Sequence, residues 1–433
     1  TIFPTHFVNR RVRFLQSPSF MLRNLRPDLF QSSLSRPYAN SSPSPHTSPE
    51  ETAILANIIV TGLVGLISVD LLYAWYRNGC NERLLNETVE KGTRPEIDVL
   101  NDELVSRPLV VDRLKKIFQP HRNQSFYHMV CGEHGTGKTT LTRIASREVG
   151  QGVIYVDIPA DIEDFGKAFG RALNFAFEEH ISWTRKVLGD TNMRFEDPKW
   201  KRAMEAFKRA SAVYKKKHNK PPVIVYDNVS RLVHKNPKIL DILQDDAKKN
   251  ADDRKYIAVF VSSEGSVPRR METRSAWSRA KPVVEIGDLS KEESMTYLTK
   301  KRNINEVDAK KLYELVGGRF LDLKTVADDF LAGQSSEVIK QQVLTEVEKK
   351  FQSARLLPKD PRYEVGKSII NDLLKSKELS FLEFKLHFDE NDELNEVLGS
   401  NIFAYHPEKN TVSFQSQSVK YYILEKADIF IKK

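Results

Sequence analysis

Cysteine is scarce: the 433-residue chain holds two, Cys80 and Cys131, and no CxxC pair. That excludes a disulfide scaffold and a cysteine zinc site, and it fits a reducing compartment or one without redox demand. The ten histidines form no HExxH and no Cys/His cluster, so the sequence offers no support for metal-site or triad hydrolysis. Acid is missing from one region in particular. Residues 1–49 carry six arginines (Arg10, Arg11, Arg13, Arg23, Arg26, Arg36), no lysine and one acid, Asp28. This segment therefore supplies +5 of the formal +9, and the remaining chain is close to balanced. A basic total invites a nucleic-acid reading; its location weakens that invitation. With 40% hydrophobic and 29% charged residues, the body has enough apolar material to pack cores, which excludes wholesale disorder. The length suggests about two to four domains.

The 1–49 stretch is Arg- and Ser-rich, with Pro and Ser crowded at Ser41–Ser48. Such a composition cannot pack a core but suits a mitochondrial transit peptide; a disordered basic tail is the alternative. From Ala53 to Tyr76 runs AILANIIVTGLVGLISVDLLYAWY. This is roughly 24 residues, at about 1.5 Å each long enough for a hydrocarbon core of about 30 Å. Tyr73, Trp75 and Tyr76 followed by Arg77 read as an aromatic belt with a cationic stop, and Asp70 is the one charge inside. The segment is apolar on every face, which favours a single-pass anchor over a buried globular helix. The expectation is a mitochondrial membrane protein, inner membrane by preference, with residues 77–104 a polar juxtamembrane linker. Its orientation stays open. A cleaved leader places the body in the matrix, and a retained one argues for the reverse.

Next comes an apolar strand-like run, Ser125–Cys131, then Gly132-Glu133-His134-Gly135-Thr136-Gly137-Lys138-Thr139-Thr140 and a helical stretch. This is GxxxxGK[ST] in the strand–loop–helix setting its chemistry demands. Gly132, Gly135 and Gly137 allow successive backbone N–H groups to converge on phosphate oxygens at a helix N-terminus. Lys138 is expected to reach the terminal phosphates of ATP, Thr139 to ligate Mg²⁺, and Thr140 to be a weaker phosphate contact. Glu133, His134 and Thr136 complete the cradle. Val223–Asp227, introduced by Pro221-Pro222, reads as a second buried strand ending in an acid, and Asp227 is the expected second Mg²⁺ residue. Asn228 follows it; an amide orients a water but cannot take its proton. Further strands are expected at Gly152–Asp157, Tyr256–Ser262 and Pro282–Ile286, with helical stretches at Asp161–His180 and Pro198–His218. This is an α/β pattern of a parallel sheet with helices on both faces. Ser262, at a strand end, is either a γ-phosphate sensor or a simple turn residue.

Together with the passage GDLSKEESMTYLTKKRN…ELVGGRFLDL, these motifs make the chain resemble AAA+/STAND-type P-loop ATPases, in particular the archaeal-type ATPase branch. The resemblance covers about residues 105–335, an ATPase core at 105–287 and a helical lid at 288–335. Asp288-Leu289-Ser290-Lys291-Glu292-Glu293 matches the branch's helix start and carries an N-cap signal. Gly317-Gly318-Arg319-Phe320 matches its Gly-Gly-x-Pro turn, with Phe in place of Pro. The resemblance implies glutamate where Asn228 stands, and otherwise hydrolysis that is slow or draws on another carboxylate such as Glu264. It also implies an arginine finger reaching a neighbouring copy of a homo-oligomer. Arg279 is the choice among Arg269, Arg270, Arg274 and Arg279. Arg319 is either a nucleotide-sensing arginine or a surface one.

A helical linker is expected at 336–361 and a separate module at 362–433, where helical stretches precede two strands around a turn at Pro407–Asn410. Three helices and a hairpin resemble a winged helix, and the whole resembles fungal membrane-tethered mitochondrial AAA proteins bearing one. The stretch Asp389–Glu396 that would read DNA holds five acids and no base, which a phosphate backbone repels. The module is therefore expected to contact a protein partner, with nucleic acid disfavoured. The leading function is a membrane-anchored ATPase whose ATP hydrolysis remodels or recruits a partner. A slow or non-hydrolysing nucleotide-gated switch is the alternative, and a mitochondrial nucleic-acid factor comes third.

Overall fold

The structure is a computed structural model that describes residues 49–97, 103–177, 182–184 and 197–431. The expected leader up to residue 48 lies outside the described residues, as do 98–102 of the expected linker. The chain divides into two units, 1–64 and 65–433.

The first element, α1 (Pro49–Lys91), is a 43-residue helix. It contains the one described helix long and apolar enough to cross a membrane, and most of its apolar side chains from Ile54 to Tyr76 are exposed. The helix continues through the stretch expected to be a linker. Asn78 and Gly79 are poor helix formers, but tertiary contacts outweigh propensity here. Leu85 and Val89 are fully buried in the main core, Asn81 Oδ1 accepts from the Ala176 amide at 2.9 Å, and Glu90 pairs with Lys217 and His218.

Five parallel strands form the central sheet: β1 (His128–Cys131), β2 (Val153–Asp157), β3 (Val223–Asp227), β4 (Ile257–Val261) and β5 (Val284–Glu285), in the order β2-β3-β4-β1-β5. Alternation along each strand splits the side chains between two cores. On one face Val130, Val153, Tyr155, Val223, Val225 and Val259 pack against α2 (Pro108–Phe118) and α3 (Lys138–Val149). On the other, Met129, Ile154, Ile224, Tyr226 and Phe260 meet α4 (Phe165–Ala172), α5 (Lys199–His218) and α7 (Pro237–Asp252), with α6 (Ser230–Lys235) beside them. The helix expected over Asp161–His180 is shorter than its pattern suggests. It breaks at Leu173–Asn174, where Asn174 takes a φ of 52°, and 178–181 lie outside the described residues.

After α8 (Ser266–Glu272), the lid comprises α9 (Lys291–Thr296), a π turn at Tyr297–Lys301, α10 (Glu306–Val316) and α11 (Phe320–Leu331) around its own core. Its first helix is closed by a capping box. Ser290 Oγ accepts from the Glu293 amide, and the Glu293 carboxylate accepts from the Ser290 amide. The long α12 (Ser336–Ala354) leads to a C-terminal module with a separate core, formed by α13 (Tyr363–Ser376), β6 (Leu379–Ser380), α14 (Phe381–Lys385), α15 (Asn391–Gly399), β7 (Phe403–His406), β8 (Thr411–Phe414), α16 (Gln417–Glu425) and α17 (Ala427–Phe430). Its antiparallel sheet has the order β6-β8-β7, and the β7–β8 turn falls at Pro407–Asn410.

Candidate nucleotide site

In a parallel sheet the loops after the strand C-termini share one edge, and the loop after β1 enters α3 there. Gly135 and Gly137 adopt φ values of 84° and 83°, a left-handed region that a Cβ disfavours, and Gly137 caps α3. The chain can thereby turn sharply enough to aim N–H groups from the loop and the first turn of α3 at one point. Lys138, the first residue of α3, is 4% exposed. Its Nζ donates to Glu133 O at 2.5 Å and to Thr136 Oγ1 at 3.3 Å, and among the described residues no carboxylate lies within ion-pair distance of it. Burial pulls its pKa down from 10.5 to about 8 despite the attraction of Glu133 and Asp227. A buried ammonium held only by neutral oxygens is matched to an incoming polyanion, so these residues fit a nucleotide triphosphate.

Asp227 ends β3, 2% exposed, with burial raising its pKa. Tyr155 Oη donates to its Oδ2 at 2.6 Å, the Asn228 amide to its Oδ1 at 2.8 Å, and the Thr139 hydroxyl is a further partner. Thr139 and Asp227 thus meet as two oxygen donors beside the phosphate loop, which is where Mg²⁺ would be held, its coordination completed by phosphate and water. Asn228 bends away with a φ of 62°, and its Nδ2 donates to Asp157 Oδ1 at 2.8 Å. Asp157 in turn accepts from Arg143 Nη2 at 2.9 Å, and Arg143 Nε donates to the Tyr155 hydroxyl at 3.1 Å.

A narrow cleft of about 40 Å³ adjoins the loop, lined by Leu104, Val105, Gly137, Thr140, Leu289 and Phe320 among others. Its largely apolar wall suits a flat heterocycle. The lid reaches the loop directly, since the Leu321 amide donates to Gly135 O at 3.1 Å. Arg319, expected either to sense nucleotide or to lie on the surface, is 5% exposed. It pairs with Asp288 at 2.7 Å and donates to His134 O at 3.4 Å and to Gln415 O at 2.6 Å. Gln415, at the end of β8, also donates to Glu133 Oε2 at 2.9 Å, so the C-terminal module touches the phosphate loop itself.

Lys138, Thr139, Asp227 and Asn228 are therefore brought together. Ser262 lies at the same sheet edge, fully buried, but its Oγ is engaged in a local turn with the Glu264 backbone. Glu264 is on a different errand, paired with His234 at 3.0 Å. Arg279 is not brought in: its backbone bonds Tyr127 at the opposite end of β1, and its guanidinium pairs with Asp252. Sequence reasoning missed Asp157, Tyr155, Arg143 and Gln415. Asp157 had a signal, for it ends a strand of the same type as β3 and stands in register with Asp227.

A five-stranded parallel sheet with strand order β2-β3-β4-β1-β5, a glycine loop leading into a lysine-headed helix and an acid ending β3 define a P-loop ATPase. Residues 104–326 match the family described as an ATPase domain predominantly from Archaea, and the chain belongs to that family. No curated protein matches the chain. Among solved structures it is similar to a Walker-type ATPase of Pyrococcus abyssi, at 14% identity over 75% of this chain and 97% of that one, with a TM-score of 0.48. It is also similar to the ORC2 protein of Aeropyrum pernix (12% identity, 78% and 98% covered, TM-score 0.40) and to the Cdc6p of Pyrobaculum aerophilum (14%, 77% and 100%, TM-score 0.37).

Proposed function

We propose that the chain binds Mg²⁺-ATP between the phosphate loop and the lid, hydrolyses it, and passes the nucleotide state to a protein partner. The observation that carries this reading is Lys138, a buried cation at the helix head with no carboxylate in ion-pair distance among the described residues, near enough to Asp227 to feel its charge. In this reading Gly132, Glu133, His134, Gly135, Thr136, Gly137 and Thr140 cradle the phosphates, Lys138 holds the terminal ones, and Ser262 faces the γ-phosphate once its local turn opens. Mg²⁺ would supply neutralisation of charge on the phosphates. The Gln415–Glu133 and Arg319–Gln415 contacts support transmission, because nucleotide entering the loop meets groups that the C-terminal module already holds.

The C-terminal module reads as a winged helix used for protein contact. Its α15 and the turn before it are acidic, which opposes phosphate binding and suits a basic protein surface. The apolar half of α1 supports a single-pass membrane anchor, and the composition of the leader supports a mitochondrial address, inner membrane by preference. Assembly as an AAA+ homo-oligomer with Arg279 as a finger requires that residue to exchange Asp252 for a neighbouring copy's nucleotide. A second reading, a slowly hydrolysing or non-hydrolysing switch, is favoured by Asn228, which cannot accept a proton. Phosphate release from the full chain in detergent, compared with Lys138→Ala, decides between them. Turnover lost in the variant supports the ATPase. Tight ATP binding without turnover supports the switch, and turnover untouched by Lys138→Ala refutes the site.

A further inference from the structure

A P-loop ATPase with an amide after its β3 acid needs a proton acceptor from elsewhere, and the fold supplies one. Strands β2 and β3 are parallel neighbours in a register that sets Asp157 beside Asp227. Residues two apart on a strand share a face, so Val153, Tyr155 and Asp157 project as Val223, Val225 and Asp227 do, toward the side of the sheet that carries α3. The contacts agree with this: Arg143 of α3 reaches Asp157, and Tyr155 reaches Asp227. Asp157 thus presents a carboxylate at the phosphate-loop edge, on the phosphate-loop face, one strand away from the Mg²⁺ acid. Its side chain is 39% exposed, open to water in a way Asp227 is not. The carboxylate that the sequence offered as an alternative, Glu264, follows β4 and is engaged by His234 and Ser266.

We propose that Asp157 is the catalytic carboxylate of this ATPase, with Asn228 as its positioning residue. The two side chains together do the work of one glutamate. Asn228 donates an Nδ2 hydrogen to Asp157 Oδ1 at 2.8 Å and so orients the carboxylate. Arg143 at 2.9 Å and Arg231 at 3.6 Å pair with the group, and they must loosen their grip for it to receive the proton of the water. In the step itself the water oxygen forms a bond to the γ-phosphorus and the bond from that phosphorus to the β,γ-bridging oxygen breaks. The bridging electron pair stays on ADP, which Lys138 neutralises. The proton of the water passes to Asp157 and from there to solvent. The products are ADP, inorganic phosphate and a released proton, with no further reactant.

This inference rests on the ATPase reading, and the test separates the two. Steady-state phosphate release and fluorescent-ATP binding are measured on the full chain in detergent for wild type, Lys138→Ala, Asp157→Asn, Asn228→Glu and the Asp157→Asn/Asn228→Glu pair. Asp157→Asn is expected to lower kcat about 100-fold or more, while KM and ATP affinity stay within about threefold. Asn228→Glu in the Asp157→Asn background should restore turnover, which a merely structural defect at Asp157 would not allow. If wild type turns over, Lys138→Ala abolishes it and Asp157→Asn keeps full kcat, the assignment of Asp157 is overturned while the ATPase reading stands. If wild type binds ATP without turnover under all conditions, both fall in favour of the switch.

Discussion

Replacing Lys138 with methionine is expected to stabilise the nucleotide-free protein while abolishing its response to ATP. The Lys138 ammonium is almost fully buried, and its pKa falls from 10.5 to about 8 because burial penalises the charged form. At about 1.4 kcal/mol per pKa unit this is a penalty of about 3 kcal/mol carried by the folded state. Methionine keeps the length and the apolar stem but removes the charge. The loss of hydrogen bonding is small, since Glu133 O still receives the Thr136 hydroxyl at 3.0 Å, so about 1 kcal/mol is given back. A net gain of about 1–2 kcal/mol at pH 7 follows. The sign with pH is fixed by a folded pKa below the unfolded one. The wild-type penalty is full below pH 8 and fades as pH rises toward 10.5, so the advantage of the variant should shrink over that window. Urea unfolding followed by fluorescence of the body tryptophans Trp200 and Trp277 measures it, with and without Mg²⁺-ATP. Wild type should gain about 2.7 kcal/mol at 100 times its Kd and the variant nothing. A Lys138→Met protein less stable than wild type at pH 7 would refute the reasoning, because it would mean the ammonium is already well compensated.

Asp227→Asn should leave the fold intact, since burial already disfavours its charge, yet lower hydrolysis by about 100-fold or more and remove the Mg²⁺ dependence of ATP binding in a titration. Gly318→Ala would place a methyl 2.0 Å from Leu289 O, and a shift costing about 1–3 kcal/mol should open the start of the lid, read as faster amide exchange at Leu289. His406 links the C-terminal module to β5. Burial lowers its pKa, but the hydrogen bond at 2.6 Å and the charge of Glu285 outweigh this and raise it, helped by Glu133 and Glu378. A raised histidine stabilises fully below its unfolded value of 6.5 and loses that contribution as pH climbs through the folded value. Proteolysis between the module and the core should therefore accelerate on the alkaline side, and His406→Ala should flatten the profile.

The phosphate loop and the Asp227 strand were legible because each is a local pattern, a glycine turn or an apolar run ending in an acid, and local patterns survive without knowledge of neighbours. The hairpin turn at Pro407–Asn410 was legible for the same reason. Asp157 was not, since a single acid at a strand end is ordinary until the pairing of β2 with β3 is known. Gln415 lies 282 positions from Glu133 and carries no motif at all. The extension of α1 to Lys91 ran against propensity at Asn78-Gly79. Only the burial of Leu85 and Val89 against the core, which no single-sequence pattern reveals, makes it helix rather than linker.

That extension changes what kind of device the chain can be. Between Arg77 and Lys91 the helix rises about 20 Å without a joint, and its second half is clamped along the ATPase body by Asn81, Glu82, Leu85, Val89 and Glu90. A string of the same residues could slide against the sheet and absorb any change in it. A clamped strut does neither. It moves with the ATPase core as one piece, so a reorientation of the sheet carries residues 77–91 along with it.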